Sequence, residues 1–257
     1  MNFDLNRAVA LLTESQRSYT QVRSFSPAPQ DREQAYAVQT AVCQQLGEVG
    51  GWKVGARGSK DTPNCAPLLK SLMQPGPAIW RRKAVTGYFI EGEIAFKIGR
   101  DIPASTAPLS PDEVFSRVTS VHAAIEIVDT RLVDLESAGP LWKLADNQMN
   151  GGFVFDPVGI PWSGQDFADA PVALTIAGTT QLERRGGNPA GNPAPLLVWL
   201  VNHCITSRGG ISAGSYITTG SYTGMTAVGP GATVVVEFPG IGRTQVRFGS
   251  TDQPMTV

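Results

Sequence analysis

The spacing of apolar positions changes along this chain, and the change separates helical from extended segments. Over residues 2–19, Leu5, Val9 and Leu12 recur at the helical interval, until the stretch 24–29, with two prolines, breaks the pattern. A second helix is predicted from Asp31, a capping side chain with Gln34 three residues on. Ala35, Val38, Val42 and Leu46 form its buried stripe, and Gly47 stops it. From Gly51 onward the character is β. Trp52-Lys53-Val54 reads as a short strand between glycines, residues 85–98 as a long strand or pair of strands, and residues 121–128 as another. Ser110-Pro111-Asp112-Glu113 marks a helix start, with serine as cap, proline in the first turn and glutamate placed for a capping box. Residues 186–193 form a Gly/Asn/Pro loop ahead of a buried helix over 195–206. Residues 234–238 and 244–248 form a hairpin around Pro239-Gly240-Ile241-Gly242-Arg243. No internal repeat or low-complexity tract is present.

Two glutamates one residue apart, Glu91 and Glu93, interrupt the apolar run Tyr88-Phe89-Ile90-Glu91-Gly92-Glu93-Ile94-Ala95-Phe96. Alternation puts both on one strand face with Phe89, Ala95 and Lys97, while Ile90, Gly92, Ile94, Phe96 and Ile98 take the other. A half-solvated strand has that pattern, and so does one that delivers two carboxylates to a single ion. Glu126 is harder to assign to solvent, because it shares its face with Ala124 and Val128. Three hard oxygen donors converging from two strands point to a divalent cation, magnesium or manganese.

Composition narrows the partners. The 257 residues suffice for one large domain, spanning 1–257, with a helical segment of about residues 1–48 packed on a β core. Lys+Arg 21 against Asp+Glu 22, with no basic stripe, argues against nucleic acid and leaves a small molecule as the expected ligand. Cys43, Cys65 and Cys204 show no zinc-knuckle spacing, and an odd count speaks against a disulfide framework, so reduced thiols in a cytoplasmic protein are expected. The apolar stretch Ala8-Val9-Ala10-Leu11-Leu12 is too short for a signal peptide, and no segment is long enough to span a bilayer, so no membrane partner is expected.

Other motifs do not carry chemistry. Gly210-Ile211-Ser212-Ala213-Gly214 matches the G-x-S-x-G pattern, but the nucleophile elbow needs a strand before the serine, a helix after it and a histidine downstream. Here a predicted helix precedes, a β-like run follows, and both histidines, His122 and His203, lie upstream. There is no Walker pattern and no G-x-G-x-x-G between strand and helix. His203, on an apolar helix, reads as a core residue. His122 shares the Glu126 face but lies four residues away, about 13 Å along a strand, too far to share a metal directly.

Taken together, Trp52-Lys53-Val54-Gly55, Glu91-Gly92-Glu93-Ile94-Ala95-Phe96, Glu126-Ile127-Val128-Asp129-Thr130-Arg131, Ala145-Asp146-Asn147, Gly191-Asn192-Pro193 and Thr219-Gly220-Ser221 occur in an order that resembles the 2-keto-4-pentenoate hydratase and 4-oxalocrotonate decarboxylase group of the fumarylacetoacetate hydrolase superfamily. The resemblance runs from about Asp31 to Phe248. It implies an α+β fold with a mixed β-roll or sandwich core and peripheral N-terminal helices, and one Mg2+ or Mn2+ held by Glu91, Glu93 and Glu126. It also implies acid–base chemistry by Lys53, Asp129 and Arg131, substrate contacts from Asn147, Gln148, Gly220 and Ser221, and self-assembly, as a homo-oligomer or paired with a related subunit. A 2-oxo acid would offer its keto and carboxylate oxygens as a bidentate pair, and a cation holding them would draw charge from the neighbouring carbon. Burial and that charge lower the pKa of a nearby lysine, and adjacent carboxylates oppose them.

Two positions depart from the family pattern. Met149 stands where a small hydroxyl residue follows the Asp-Asn pair, and Asn64-Cys65-Ala66-Pro67-Leu68-Leu69 lacks the aspartate usual after the lysine. These departures count against hydration, while the resemblance still implies a metal-dependent lyase, a hydratase of 2-hydroxypenta-2,4-dienoate type or a decarboxylase of 4-oxalocrotonate type. A C–C hydrolase of acylpyruvates and a non-catalytic organic-acid binder are the alternatives.

Overall fold

A computed structural model describes residues 2–81 and 88–249 of the chain. Both N-terminal helices form where the apolar spacing places them. Helix α1 (Leu5–Ser18) is capped by Asp4, and α2 (Arg32–Leu46) by Asp31, whose side chain accepts from the Gln34 amide. Ala8, Val9 and Leu12 meet Ala35, Val38 and Val42 between them, and Trp142 closes the cluster, with Phe25 edge-on at 5.1 Å. The capping box at Ser110 is present and opens the short helix α3 (Pro111–Phe115). Helices α4 (Leu135–Ala138), α5 (Pro140–Ala145) and α6 (Ala194–Ser207) complete the set described below.

The β core consists of two sheets. The strands of the larger one are β1 (Val49–Gly55), β2 (Asn64–Leu69), β3 (Met73–Pro75), β5 (Tyr88–Ile98), β6 (Val118–Val128), β7 (Asn150–Phe155) and β10 (Tyr216–Ser221), in the order β2-β1-β10-β5-β6-β7-β3, with β11 (Thr226–Val228) also pairing β5 and the two-residue strand Ile160–Pro161 pairing β6. The smaller sheet runs β9 (Thr179–Arg185), β8 (Pro171–Ile176), β12 (Thr233–Phe238), β13 (Gly242–Phe248) and β4 (Ala78–Trp80). The C-terminal hairpin is thus β12–β13, as its turn residues indicate. Of the long strand expected over residues 85–98, the start at 85–87 lies outside the described residues.

The alternation read in the Glu91 strand is real, but neither face is left to water. Ile90, Ile94 and Phe96 of β5, with Val121, Ile125 and Ile127 of β6, point toward the smaller sheet and join Val234, Val236 and Val246 in one apolar cluster. The opposite face carries Glu93 and Glu126 beside a smaller cluster of Leu68, Ala95, Ala124, Phe153 and Tyr216. Gly92 lies between the two glutamates because the sheets meet there. A Cβ at this position would stand 2.8 Å from Thr223 Cγ2 and 3.0 Å from Val236 Cγ1, so any side chain would push the smaller sheet away.

All three cysteines are free and buried, and burial pushes the Cys43 thiol up to about 12 and that of Cys65 up to about 11. They are inert packing residues, in keeping with the expected reduced thiols. Among the described residues no helix is long and apolar enough to cross a membrane. Gly92→Val is expected to cost about 1–3 kcal/mol in urea denaturation through overpacking, while Gln181→Ala on the exposed strand β9 stays within about 0.5 kcal/mol.

Candidate metal centre

The carboxylates of Glu91, Glu93 and Glu126 offer one ligand atom each within 4.8 Å of one another. Register explains the convergence. Glu91 and Glu126 are directly opposed across the antiparallel β5–β6 pair, and Glu93, two residues along β5, shares their face. Opposed like charges destabilise a sheet, and here Glu93 and Glu126 are also removed from water, at 1% and 0% exposure.

Each of these two buried acids is held through one oxygen. Glu93 Oε2 accepts from the Thr218 hydroxyl and, at 3.2 Å, from the Gly220 amide. A bulge makes the second bond possible. Between Thr218↔Ala95 and Ser221↔Glu93 strand β10 has one residue more than β5, and Gly220, at φ 93°, turns its N–H onto the carboxylate. Glu126 Oε1 accepts from Lys53 Nζ at 2.5 Å and from Asn150 Nδ2 at 2.9 Å, while Glu126 Oε2 is buried with no hydrogen-bond partner.

Electrostatics follow from this crowding. Burial, then the charges of Glu126 and Glu91, push the Glu93 carboxyl up to about 8, and Glu91 is raised by burial and by Glu126. Lys53 has a side chain 13% exposed, and burial alone would lower it, but Glu126, Glu93 and Glu91 together raise it above the ordinary lysine range. The opposition between burial and neighbouring carboxylates is therefore decided for the carboxylates in the metal-free protein. An orphaned carboxylate oxygen, a surplus of negative charge and an all-oxygen donor set fit a hard divalent cation, and Glu91, Glu93 and Glu126 are the residues that would hold it.

The remaining expected site residues are arranged around this cluster. The Gln148 carbonyl accepts from Lys53 Nζ at 3.3 Å, and Asn147 Nδ2 donates to the Pro67 carbonyl at 3.0 Å. Asn147 Oδ1 and Gln148 Nε2 are buried without partners. Gly220 engages Glu93 through its backbone, whereas the Ser221 hydroxyl turns away and accepts from the Gly224 amide at 2.9 Å. Asp129 is buried; its amide donates to the Met149 carbonyl, and its charge, after burial, helps raise the Tyr88 phenol.

Arg131 does not reach the carboxylates. Its guanidinium is consumed by Asp146, through Nε to Oδ1 and Nη2 to the carbonyl, both at 2.5 Å, and by the Asn150 carbonyl, through Nη1 at 2.7 Å. His122 is occupied by the Asp156 carbonyl and the Ser120 hydroxyl. His203 stacks on Trp199 at 5.1 Å, and burial, with Arg208 and Arg32 nearby, takes it down to about 4. Ser212 comes just after a two-residue strand, Gly210–Ile211, and is followed by strand β10, so the helix an elbow needs after the serine is missing.

Thr218, Asn150 and Asp146 are three residues that sequence reasoning left out of the site. Thr218 could have been noticed as a hydroxyl inside an apolar strand. No spacing in the chain ties Asn150 to Glu126.

Comparison with known proteins identifies the family. The model of the fumarylacetoacetate (FAA) hydrolase C-terminal family matches residues 34–248. The chain belongs to that family. It is 27% identical to a 4-oxalocrotonate decarboxylase from Pseudomonas sp over 153 residues, a stretch covering 60% of this chain and 57% of that relative. Among solved structures, 4-oxalocrotonate decarboxylase from Pseudomonas putida G7, complexed with magnesium and adipate, superposes with a TM-score of 0.79 at 20% identity, over 96% of this chain and 99% of that one. Fumarylpyruvate hydrolase from Pseudomonas aeruginosa, in complex with Mn2+ and pyruvate, gives 0.55 at 15% identity, over 77% and 88%. The α+β fold with peripheral N-terminal helices is that of the family.

Folded Glu93 keeps its proton to a higher pH than it does in the unfolded chain, so its contribution is fully present below about 4.5 and is lost as pH rises toward about 8. With chelator present, the melting temperature is expected to fall across that window, and saturating Mg2+ to restore it most strongly at the alkaline end. A melting temperature that ignores both pH and Mg2+ there contradicts this electrostatic description.

Proposed function

We propose that this protein is a divalent-cation-dependent lyase that decarboxylates a small dicarboxylic 2-oxo acid of the 4-oxalocrotonate type. The observation that carries the reading is the cluster of Glu91, Glu93 and Glu126 with the Lys53 ammonium bonded to one of its members. A bound Mg2+ or Mn2+ would supply Lewis acidity, gripping the keto and carboxylate oxygens and stabilising negative charge as it develops on the substrate. Lys53 holds a proton beside that position and is the group placed to deliver it to carbon. The Gln148 carbonyl and Glu126 Oε1 orient its ammonium. Asn147 and Gln148, with unpartnered amide atoms in the adjoining strap of residues 146–150, are the residues to receive the substrate's remaining polar groups.

Decarboxylation is favoured over hydration by what stands next to Lys53. Hydration needs a base to activate water besides the proton donor at carbon. Ala66 is the cross-strand partner of Lys53, and Met149 follows Gln148 in the strap, so neither position supplies one. Loss of carbon dioxide needs an electron sink and a single proton donor. The same two residues are also compatible with an organic-acid binder that turns nothing over, and product analysis separates the readings.

Incubation with 4-oxalocrotonate and Mg2+ is expected to release carbon dioxide, and chelator to abolish the release. Lys53→Met should lower turnover by about 10²-fold or more yet keep the Mg2+-dependent rise in melting temperature given by oxalate. Glu93→Gln should lose that rise. A wild-type protein that shows the oxalate effect but forms no product from an oxo acid or a dienoate is the binder.

A further inference from the structure

Three successive non-glycine residues, Asn147, Gln148 and Met149, have left-handed backbones, with φ of 51°, 49° and 61°. Each costs on the order of 1–3 kcal/mol in isolation, so a run of three persists only where its surroundings hold it. The holding group is Arg131. Its Nη2 and Nε grip Asp146 just before the run, and its Nη1 grips the Asn150 carbonyl just after it. Asp146 is fixed in turn by the Thr130 hydroxyl at 2.8 Å and the Arg131 amide at 3.0 Å, and the Asp129 amide donates to the Met149 carbonyl at 2.7 Å. One buried guanidinium thus closes a strap whose ends are four residues apart.

The strap ends on Asn150, where strand β7 begins. This side chain is 2% exposed, and its Nδ2 donates to Glu126 Oε1 and, at 3.3 Å, to the Gly152 carbonyl. Glu126 Oε1 therefore has two donors, Lys53 and Asn150, arriving from different strands, and the other oxygen has none. A carboxylate satisfied in this one-sided way cannot rotate to offer both oxygens to an ion without breaking two buried, charge-assisted hydrogen bonds.

We infer that Asn150, set in place by Arg131, is a positioning residue that restricts Glu126 to one oxygen toward the cation. The inference rests on the metal reading of the cluster. Its consequence is selectivity: Mg2+ requires six ligands in near-ideal octahedral order, whereas Ca2+ accepts six to eight and readily takes a carboxylate through both oxygens. A Glu126 held to one oxygen favours the smaller ion, and a freed Glu126 favours the larger.

The test is calorimetric titration of the chelator-stripped protein with Mg2+ and with Ca2+, comparing wild type, Asn150→Leu and the double variant Lys53→Met/Asn150→Leu. Asn150→Leu is expected to move the Ca2+/Mg2+ affinity ratio toward calcium by about tenfold, the lower range for residues supporting a metal ligand, and the double variant to move it further. A merely structural role weakens both ions by one factor and leaves the ratio unmoved; that result, no change, or a shift toward magnesium overturns the inference. If Asn150→Leu does not fold, Asn150→Ser, whose shorter side chain cannot span to Glu126, is read by the same criterion. A wild-type protein that binds neither ion removes the metal reading itself, whereas binding with an unmoved ratio removes only the role of Asn150.

Discussion

Mutual repulsion among carboxylates on a buried sheet face is the constraint around which this protein is organised. Glu91, Glu93 and Glu126 stand close enough to share one ion, and two of them are removed from water. Left alone, such a group is relieved by taking up protons, which is what the elevated Glu93 carboxyl expresses. The fold answers with one-sided hydrogen bonding: Thr218 and Gly220 on Glu93, Lys53 and Asn150 on Glu126. These donors orient the acids, and only Lys53 among them brings a charge that offsets one of the three.

Much of this was legible in the sequence, because the signals were periodic. Capping at Asp31 and Ser110, the helical stripe from Ala35 to Leu46, the hairpin around Gly240 and the co-facial placement of Glu91 and Glu93 all depend on spacing within a few residues, and the structure reproduces them. What spacing could not supply was the burial of the glutamate face, where Glu93 and Glu126 lie beside Leu68, Ala124, Phe153 and Tyr216 of neighbouring strands in the same sheet. Nor could it supply the bulge in β10 that aims the Gly220 amide, since register is a property of two strands together.

Arg131 illustrates the limit more sharply. A charged residue two positions after Asp129, close to the buried Glu126, looks like part of the chemistry, and the family resemblance implies such a role. Its hydrogen-bond partners lie 15 and 19 residues away, Asp146 by side chain and Asn150 by backbone. No local pattern distinguishes a guanidinium facing substrate from one that ties down a loop. Asn150 was missed for the same reason, being one polar residue at the mouth of an apolar strand.

Strand β5 turns its glutamates to one face and packs the other on the smaller sheet, with Gly92 lying flush against Val236. Drift at these positions is doubly policed, by ligand chemistry on one side and by sheet spacing on the other. Within the strap, Asn147, Gln148 and Met149 are under no such joint control, since only its ends, Asp146 and Asn150, are buried and tied to Arg131 and Glu126. Descendants of a common ancestor could therefore exchange one reaction for another by rewriting those few residues while inheriting the cage intact, which makes the strap the place to look when two members with the same ion disagree about product.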